Sequence, residues 1–419
     1  MGLFYRVDYM KSFYILLLLF SFLNADLEKY IFEKNNNFSW EELEKKDNVY
    51  KLAFTSQVWQ KKKWYHNLHV VLPQNNTKKT TALLWIAGSG DGKTEINYAK
   101  KIAEKSGSAI FILMAVPNQP MFNGLWEDNL LSYSIEQTIK KQSLDSLILL
   151  PMVKSAIQAM NVAEEFSQKL SINIDSFIVT GASKRGWTTW LTALDSRVKA
   201  IVPIVFDLIN LPLQVPNYNK MWGEYGEFVK EYKERNVFDN LKTDAGKIIT
   251  KAVDPYTYKK RITIPKFIIL ATNDRFTPLN ALNLYYQDLP GKTYVCYVPN
   301  NRHRIKSTSK IANILTTVLL HNNNGQKLPE FSWNFENKKQ NVKIHLKTKG
   351  NLKKVNIWHT DSLTLDFREA SWKSFELPSF IKSATVAIRE GAHRAIFVEA
   401  IFKYAQGEVS FTSTVFISP

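Results

Sequence analysis

The sequence predicts an α/β protein in which a mostly parallel sheet is covered by helices on both faces, followed by a small all-β, sandwich-like module. Short apolar runs at 81–87, 109–114, 176–180, 200–206 and 266–271 predict the sheet, because they have the length of strands buried on both faces. Segments between them space their apolar residues every three or four positions, as helices packing one face inward do. Beyond about residue 326 the runs become short and alternating, with turn residues between them, as in a small sandwich.

The elements follow in order. Residues 1–25 read as a signal peptide: Arg6 and Lys11 precede an apolar centre at 13–23 that ends at Asn24-Ala25-Asp26, and Met10 is an alternative start. That centre is shorter than the ~20 residues a membrane-spanning helix needs. Export is therefore expected, to an extracellular or periplasmic space, with no stable membrane insertion after cleavage. Residues 26–326 are expected to form the α/β domain, opening with antiparallel strands over 49–71 and carrying helices at 97–105 and 152–170. The segment 211–261, rich in Tyr, Trp and Lys, sits between two core strands and reads as a lid-like insertion. Residues 327–419 are expected to form the β-sandwich-like domain.

Composition narrows the function classes. With 55 Lys and Arg against 38 Asp and Glu, the formal charge is +17, but the lysines are scattered and no basic run lies beside a nucleic-acid module. No nucleic-acid partner is expected. The lysines of the insertion suggest an acidic or anionic substrate. Cys296 is the single cysteine, so there is neither an intrachain disulfide nor a cysteine-based metal site, and its apolar surroundings predict a buried small hydrophobe. His66 and His69, three apart in a predicted strand, point to opposite faces, so no metal site is expected, and no cofactor. Asn37 and Asn75 begin possible N-glycosylation sequons.

The chemistry centres on Thr180-Gly181-Ala182-Ser183-Lys184-Arg185-Gly186-Trp187. A serine is a poor nucleophile unless a base takes its proton and fixed N–H donors hold the oxyanion. Serine on a sharp strand-to-helix turn, flanked by small residues, is how the α/β-hydrolase fold meets that need. Here Arg185 stands where the G-x-S-x-G pattern has its last glycine, and Gly186 follows one residue later. The strand at 266–271 runs into Asp274 and the next, at 293–298, into His303, giving the chain order Ser183, Asp274, His303 with each residue just past a strand. His303 is read as the base, Asp274 as the residue that sets its tautomer, and Asp207 as the alternative acid. The oxyanion donors are expected at the Lys184 N–H and in the turn Gly88-Ser89. The same turn, in Ala87-Gly88-Ser89-Gly90-Asp91-Gly92-Lys93-Thr94, fits a relaxed phosphate-loop pattern, but Asp91 opposes phosphate and nucleotide binding is the weaker reading.

At Val116-Pro117-Asn118-Gln119-Pro120, Leu150-Pro151-Met152-Val153-Lys154-Ser155-Ala156, Thr180 to Trp190, Arg197 to Pro203, Leu289-Pro290-Gly291-Lys292, Val298-Pro299-Asn300 and His303, the chain resembles the PhoPQ-activated pathogenicity-related family. That family includes bacterial proteins and a secreted proliferation repressor of social amoebae. The resemblance implies an α/β-hydrolase domain with a β-rich tail and supports Ser183, Asp274 and His303 as the triad positions. One departure is Asn301-Arg302-His303-Arg304, where the family more often has small residues; two arginines there oppose imidazole protonation. Two function classes follow. One is a secreted serine hydrolase acting on a small-molecule ester or peptide. The other is a secreted signalling or host-interaction protein that binds a cell-surface or host protein partner, since a fold does not fix a function.

Overall fold

The computed structural model describes residues 27–34, 36–74, 79–404 and 407–418; the signal-peptide reading of 1–25 and the sequon at Asn75 lie outside them. Helix α1 (Leu27–Phe32) leads into three antiparallel strands, β1 (Ser39–Lys46), β2 (Val49–Trp59) and β3 (Lys62–Val71). The expected alternation of strands and helices follows. It runs β4 (Thr81–Ile86), α2 (Lys93–Ser106), β5 (Ile110–Leu113), α3 (Glu127–Lys141), α4 (Leu149–Lys169), β6 (Ser176–Ala182), α5 (Lys184–Thr192) and β7 (Val198–Ile204). Four short helices come next, α6 (Leu211–Trp222), α7 (Lys230–Glu234), α8 (Val237–Asn240) and α9 (Asp244–Val253), and then β8 (Lys266–Ala271), β9 (Thr293–Val298) and α10 (Thr308–Asn324).

Strands β5, β4, β6, β7, β8 and β9 pair in that order and in parallel. Successive side chains of a strand point to opposite faces, so Phe177 and Val179 enter one core and Ile178 the other. Helices α4 and α5 cover the first face, α2 and α10 the second. Two predicted helices differ from expectation. Helix α2 starts at Lys93, right after Gly92 with φ 76°, so Lys93 belongs to the helix rather than to an open loop. Helix α4 is buried all round over Leu149–Met160 because it lies between the sheet and helices α1 and α5.

The C-terminal residues form strands β10 (Glu330–Lys338), β11 (Asn341–Lys349), β12 (Leu352–Ser362), β13 (Lys373–Leu377), β14 (Ser383–Ala387), β15 (His393–Tyr404), β16 (Gly407–Thr412) and β17 (Phe416–Ile417). Strands β10, β11 and β14 make a separate small antiparallel sheet. It packs Val342, Ile344, Leu346 and Val386 against Val355, Ile357, Ile396 and Val398 of β12 and β15. The second layer of this sandwich is not free-standing. Thr412 of β16 pairs with Val295 of β9, so among the described residues fourteen strands join in one continuous sheet.

The fold also holds a buried polar cluster. His66, on β3 and fully buried, has Nε2 3.0 Å from both Ser56 Oγ and Ser155 Oγ, and Nδ1 3.0 Å from the Met114 carbonyl. Burial lowers its pKa to about 4, against the pull of backbone carbonyls. The folded protein therefore binds fewer protons than the unfolded chain between pH 6.5 and 4. The resulting stability is present above pH 6.5 and is lost as pH falls through 4, by about 3 kcal/mol. Urea midpoints at pH 7 and pH 4.5 measure this loss, and a His66→Gln variant should show a shallower dependence.

Candidate active site

Ser183 sits between β6 and α5 with φ 58° and ψ −127°, a backbone conformation that costs a non-glycine residue free energy and presents its side chain at the top of the sheet. The turn is tied down by Ser183 N–H donating to the Ile204 carbonyl (2.8 Å) and by Gly186 and Trp187 N–H donating to the Ser183 carbonyl (2.7 and 3.1 Å). The glycine spacing that departs from the usual pattern has a steric cause. A Cβ on Gly181 would lie 2.6 Å from the Arg185 carbonyl oxygen, and one on Gly186 would lie 2.8 Å from Phe206 Cβ and 3.1 Å from the Ile204 carbonyl. It is therefore Gly181 and Gly186 that let the helix approach the strands, and position 185 is free to carry a side chain.

Asp274 and His303 follow β8 and β9 as expected, and they are joined. His303 Nδ1 is 2.8 Å from Asp274 Oδ2 and 3.0 Å from Oδ1, and Asp274 Oδ1 also accepts from the Phe276 N–H at 2.8 Å. The Phe276 ring lies on the imidazole, 4.1 Å between centroids. With Nδ1–H donating to Asp274, the neutral imidazole carries its lone pair on Nε2. That atom is buried and has no hydrogen-bond partner. Ser183 and His303 line one cavity, and no hydrogen bond links them. Asp207 is not joined to His303. It lines the same cavity but accepts from the Tyr285 hydroxyl at 2.5 Å, and burial pushes its carboxyl well above the ordinary range.

Lys184 and Arg185 clamp the N-terminus of α3. Lys184 Nζ reaches Glu127 (2.7 Å) and Asp128 (3.1 Å), while Arg185 forms a two-pronged pair with Glu127 at 2.8 and 2.6 Å and donates to the Val116 carbonyl. Gln119 closes the loop: its Oε1 accepts from the Glu127 N–H (2.8 Å), and its Nε2 donates to Glu127 (2.6 Å) and to Ser89 Oγ (3.2 Å). Burial raises the Glu127 carboxyl's pKa, but Arg185 and Lys184 outweigh it and hold the group well below the usual carboxylate range. Sequence reading missed Glu127 and Asp128 because no local motif marks them. The available signal was Gln119, inside one of the family stretches. Glu127→Ala leaves the Lys184 and Arg185 side chains, 5% and 11% exposed, short of a counter-charge. Because Glu127 itself is partly exposed, the expected loss is about 2 kcal/mol, less than for a fully buried pair. Chemical denaturation measures it, and Glu127→Gln should lose less.

The Lys184 N–H is the first of α5 and has no carbonyl within the helix to bond. Ile86 pairs with Gly181 at the end of β4, and the chain runs on into Gly88 and Ser89; the Gly88 carbonyl accepts from Ala115 N–H, and the Arg185 guanidinium covers the glycine's open side. Neither Gly88 nor Ser89 lines the cavity. Where a phosphate loop would place its anion, Asp91 Oδ1 accepts from the Lys93 N–H and Oδ2 pairs with Lys93 Nζ at 2.9 Å.

The loops bearing Asp274 and His303 are held by one stretch of the C-terminal module. Asn273 Nδ2 donates to the carbonyls of Arg368 (3.1 Å) and Ala370 (2.7 Å), and Asn300 exchanges hydrogen bonds with the Trp372 backbone at 3.0 and 2.8 Å. Arg302, beside His303, pairs with Glu369 at 2.9 Å. Its charge is thereby offset; Arg304 is exposed. Arg275 also reaches Glu369, and it pairs with Glu227 from the segment before α7 at 2.7 Å. Among the described residues no group of three or more His, Cys, Asp or Glu is arranged to hold a metal ion, and no helix is long and apolar enough to cross a membrane. Cys296 is buried, which pushes its thiol up to about 11.

The fold is that of an α/β-hydrolase. Its likeness to the acetyl xylan esterase from Paenibacillus sp. R4 has a TM-score of 0.51 at 13% identity, covering 70% of this chain and 92% of that one. The chain belongs to the PhoPQ-activated pathogenicity-related protein family, which it matches over residues 27–368. It is 29% identical to autocrine proliferation repressor protein A of Dictyostelium discoideum, over 95% of this chain and 90% of that protein.

Proposed function

We propose that the protein is a secreted serine hydrolase that transfers the acyl group of a small-molecule ester or peptide to water. The observation that carries this reading is the Asp274–His303 pair, whose imidazole lines one cavity with Ser183 and whose Nε2 is buried without a hydrogen-bond partner. In the proposed reaction Ser183 Oγ attacks the carbonyl carbon as His303 Nε2 takes its proton. The oxyanion is held by the Lys184 N–H and by a second N–H from the Gly88-Ser89 turn. The bond to the leaving group then breaks, His303 returns the proton to it, and a water deprotonated by His303 releases the acid and restores Ser183. Helices α6 to α9 act as the lid over the cavity, to which Leu211, Val237, Phe238, Ile249 and Val253 contribute. Secretion is supported by the apolar segment near the N-terminus.

A fluorophosphonate probe tests the reading on the purified full-length protein. Labelling of Ser183, found by peptide mapping, is expected; unlabelled folded protein would sink it. The likeness to a proliferation repressor favours one second reading, a secreted signalling protein that binds a cell-surface or host partner through this fold. A growth effect on cells that persists undiminished in Ser183→Ala supports that alternative over the hydrolase.

A further inference from the structure

The cavity beside Ser183 has a chemical character that the surface of the protein does not share. Its walls are overwhelmingly apolar, with Leu131, Trp187, Phe206, Leu211, Phe238 and Val253 among them. Apart from His303, the one basic side chain in the wall is Lys184, and its ammonium is already taken by Glu127 and Asp128. The acidic groups there are also occupied: Asp128 accepts from the Tyr232 hydroxyl at 3.0 Å, and Asp207 from Tyr285. Burial favours the neutral form of Asp207. Of the lysines of the insertion that suggested an anionic substrate, Lys220, Lys230, Lys233, Lys242, Lys247, Lys251 and Lys260 are exposed and Lys259 is half-buried, and none lines the cavity.

An anionic acyl chain placed here would leave water without meeting a free cation, which opposes binding. An uncharged hydrocarbon chain gains from the same walls. Size sets the other limit. The cavity volume is about 70 Å³, roughly half of the ~150 Å³ that holds benzene in an apolar protein cavity. We infer that this cavity is the acyl-binding site for an uncharged, apolar acyl group of about two to four carbons, and that it excludes anionic and long-chain acyl groups. The inference rests on the serine-hydrolase reading above, because Ser183, which would carry the acyl group, lines this cavity.

The test compares 4-nitrophenyl acetate, butyrate, octanoate and hemisuccinate as substrates of the full-length protein, alongside labelling rates with ethyl and octyl fluorophosphonates. Butyrate should exceed both octanoate and hemisuccinate in kcat/KM by tenfold or more, and the ethyl probe should label Ser183 faster than the octyl probe. Leu208→Ala, which trims a half-buried wall residue, should raise octanoate relative to butyrate. Labelling of Ser183 combined with a preference for octanoate, the octyl probe or hemisuccinate overturns the acyl assignment and leaves the hydrolase reading standing. Folded protein in which neither probe labels Ser183 overturns both.

Discussion

Ser183→Ala should lower acyl transfer by about four to six orders of magnitude, because the proposed mechanism has no other nucleophile and the remaining groups act as a unit with it. Fluorophosphonate labelling should vanish with it. The fold should be unaffected: the substitution keeps Cβ, and Ser183 is held by backbone bonds to Ile204, Gly186 and Trp187 rather than by its hydroxyl. Ser183→Gly separates the two roles of the residue. At φ 58° and ψ −127° a side chain is strained by roughly 1–3 kcal/mol, and glycine removes that strain while adding freedom to the unfolded chain. The expected result is a dead protein more stable than the parent by about 1 kcal/mol. A Gly variant less stable than the Ala variant would show that the turn is not strained.

Asp274→Asn should cost about three to four orders of magnitude in kcat/KM with little change in fold, for a reason specific to this loop. Asp274 Oδ1 accepts from the Phe276 N–H, and an asparagine oxygen would stay there. The amide NH2 would then replace Oδ2 opposite His303 Nδ1, now 2.8 Å away, and donate to it. That puts the imidazole proton on Nε2 and removes the lone pair that should accept from Ser183. Ester hydrolysis and probe labelling should fall together while the circular dichroism spectrum is unchanged. A loss under tenfold would mean that Asp274 does not govern the tautomer. Asp207 is the control: it bonds Tyr285, so Asp207→Asn leaves the imidazole's partner in place and should not reproduce the loss.

Much of this arrangement was legible in the sequence because it is local. Buried strands declare themselves as short apolar runs, and Ser183, Asp274 and His303 each fall one turn past such a run. What escaped reading is nonlocal. Helix α3 has no strong apolar stripe to announce it, and Glu127 gains its meaning only from Lys184 and Arg185, 57 and 58 residues away. The displaced glycine looked like a defect in the motif until Gly186 was seen against Phe206 of the neighbouring chain segment. The alternating C-terminal strands were visible as such, but nothing in their periodicity says that β16 will extend β9. The arginines beside His303 read as a threat to the base, since the sequence does not show that Glu369 lies within reach of Arg302.

The clamp on Asn273 and Asn300 sets the order in which function can appear during synthesis. The residues that grip these two loops, 368–372, and the strand that covers the edge of β9, 407–412, are made well after the loops themselves. A nascent chain can complete its serine turn and most of its parallel strands long before then, as domains generally fold from the N-terminus during translation. The loops after β8 and β9 have no such support until residues 368–372 have been made. The pairing of Asp274 with His303 would then follow the sheet that carries it, rather than arise together with it.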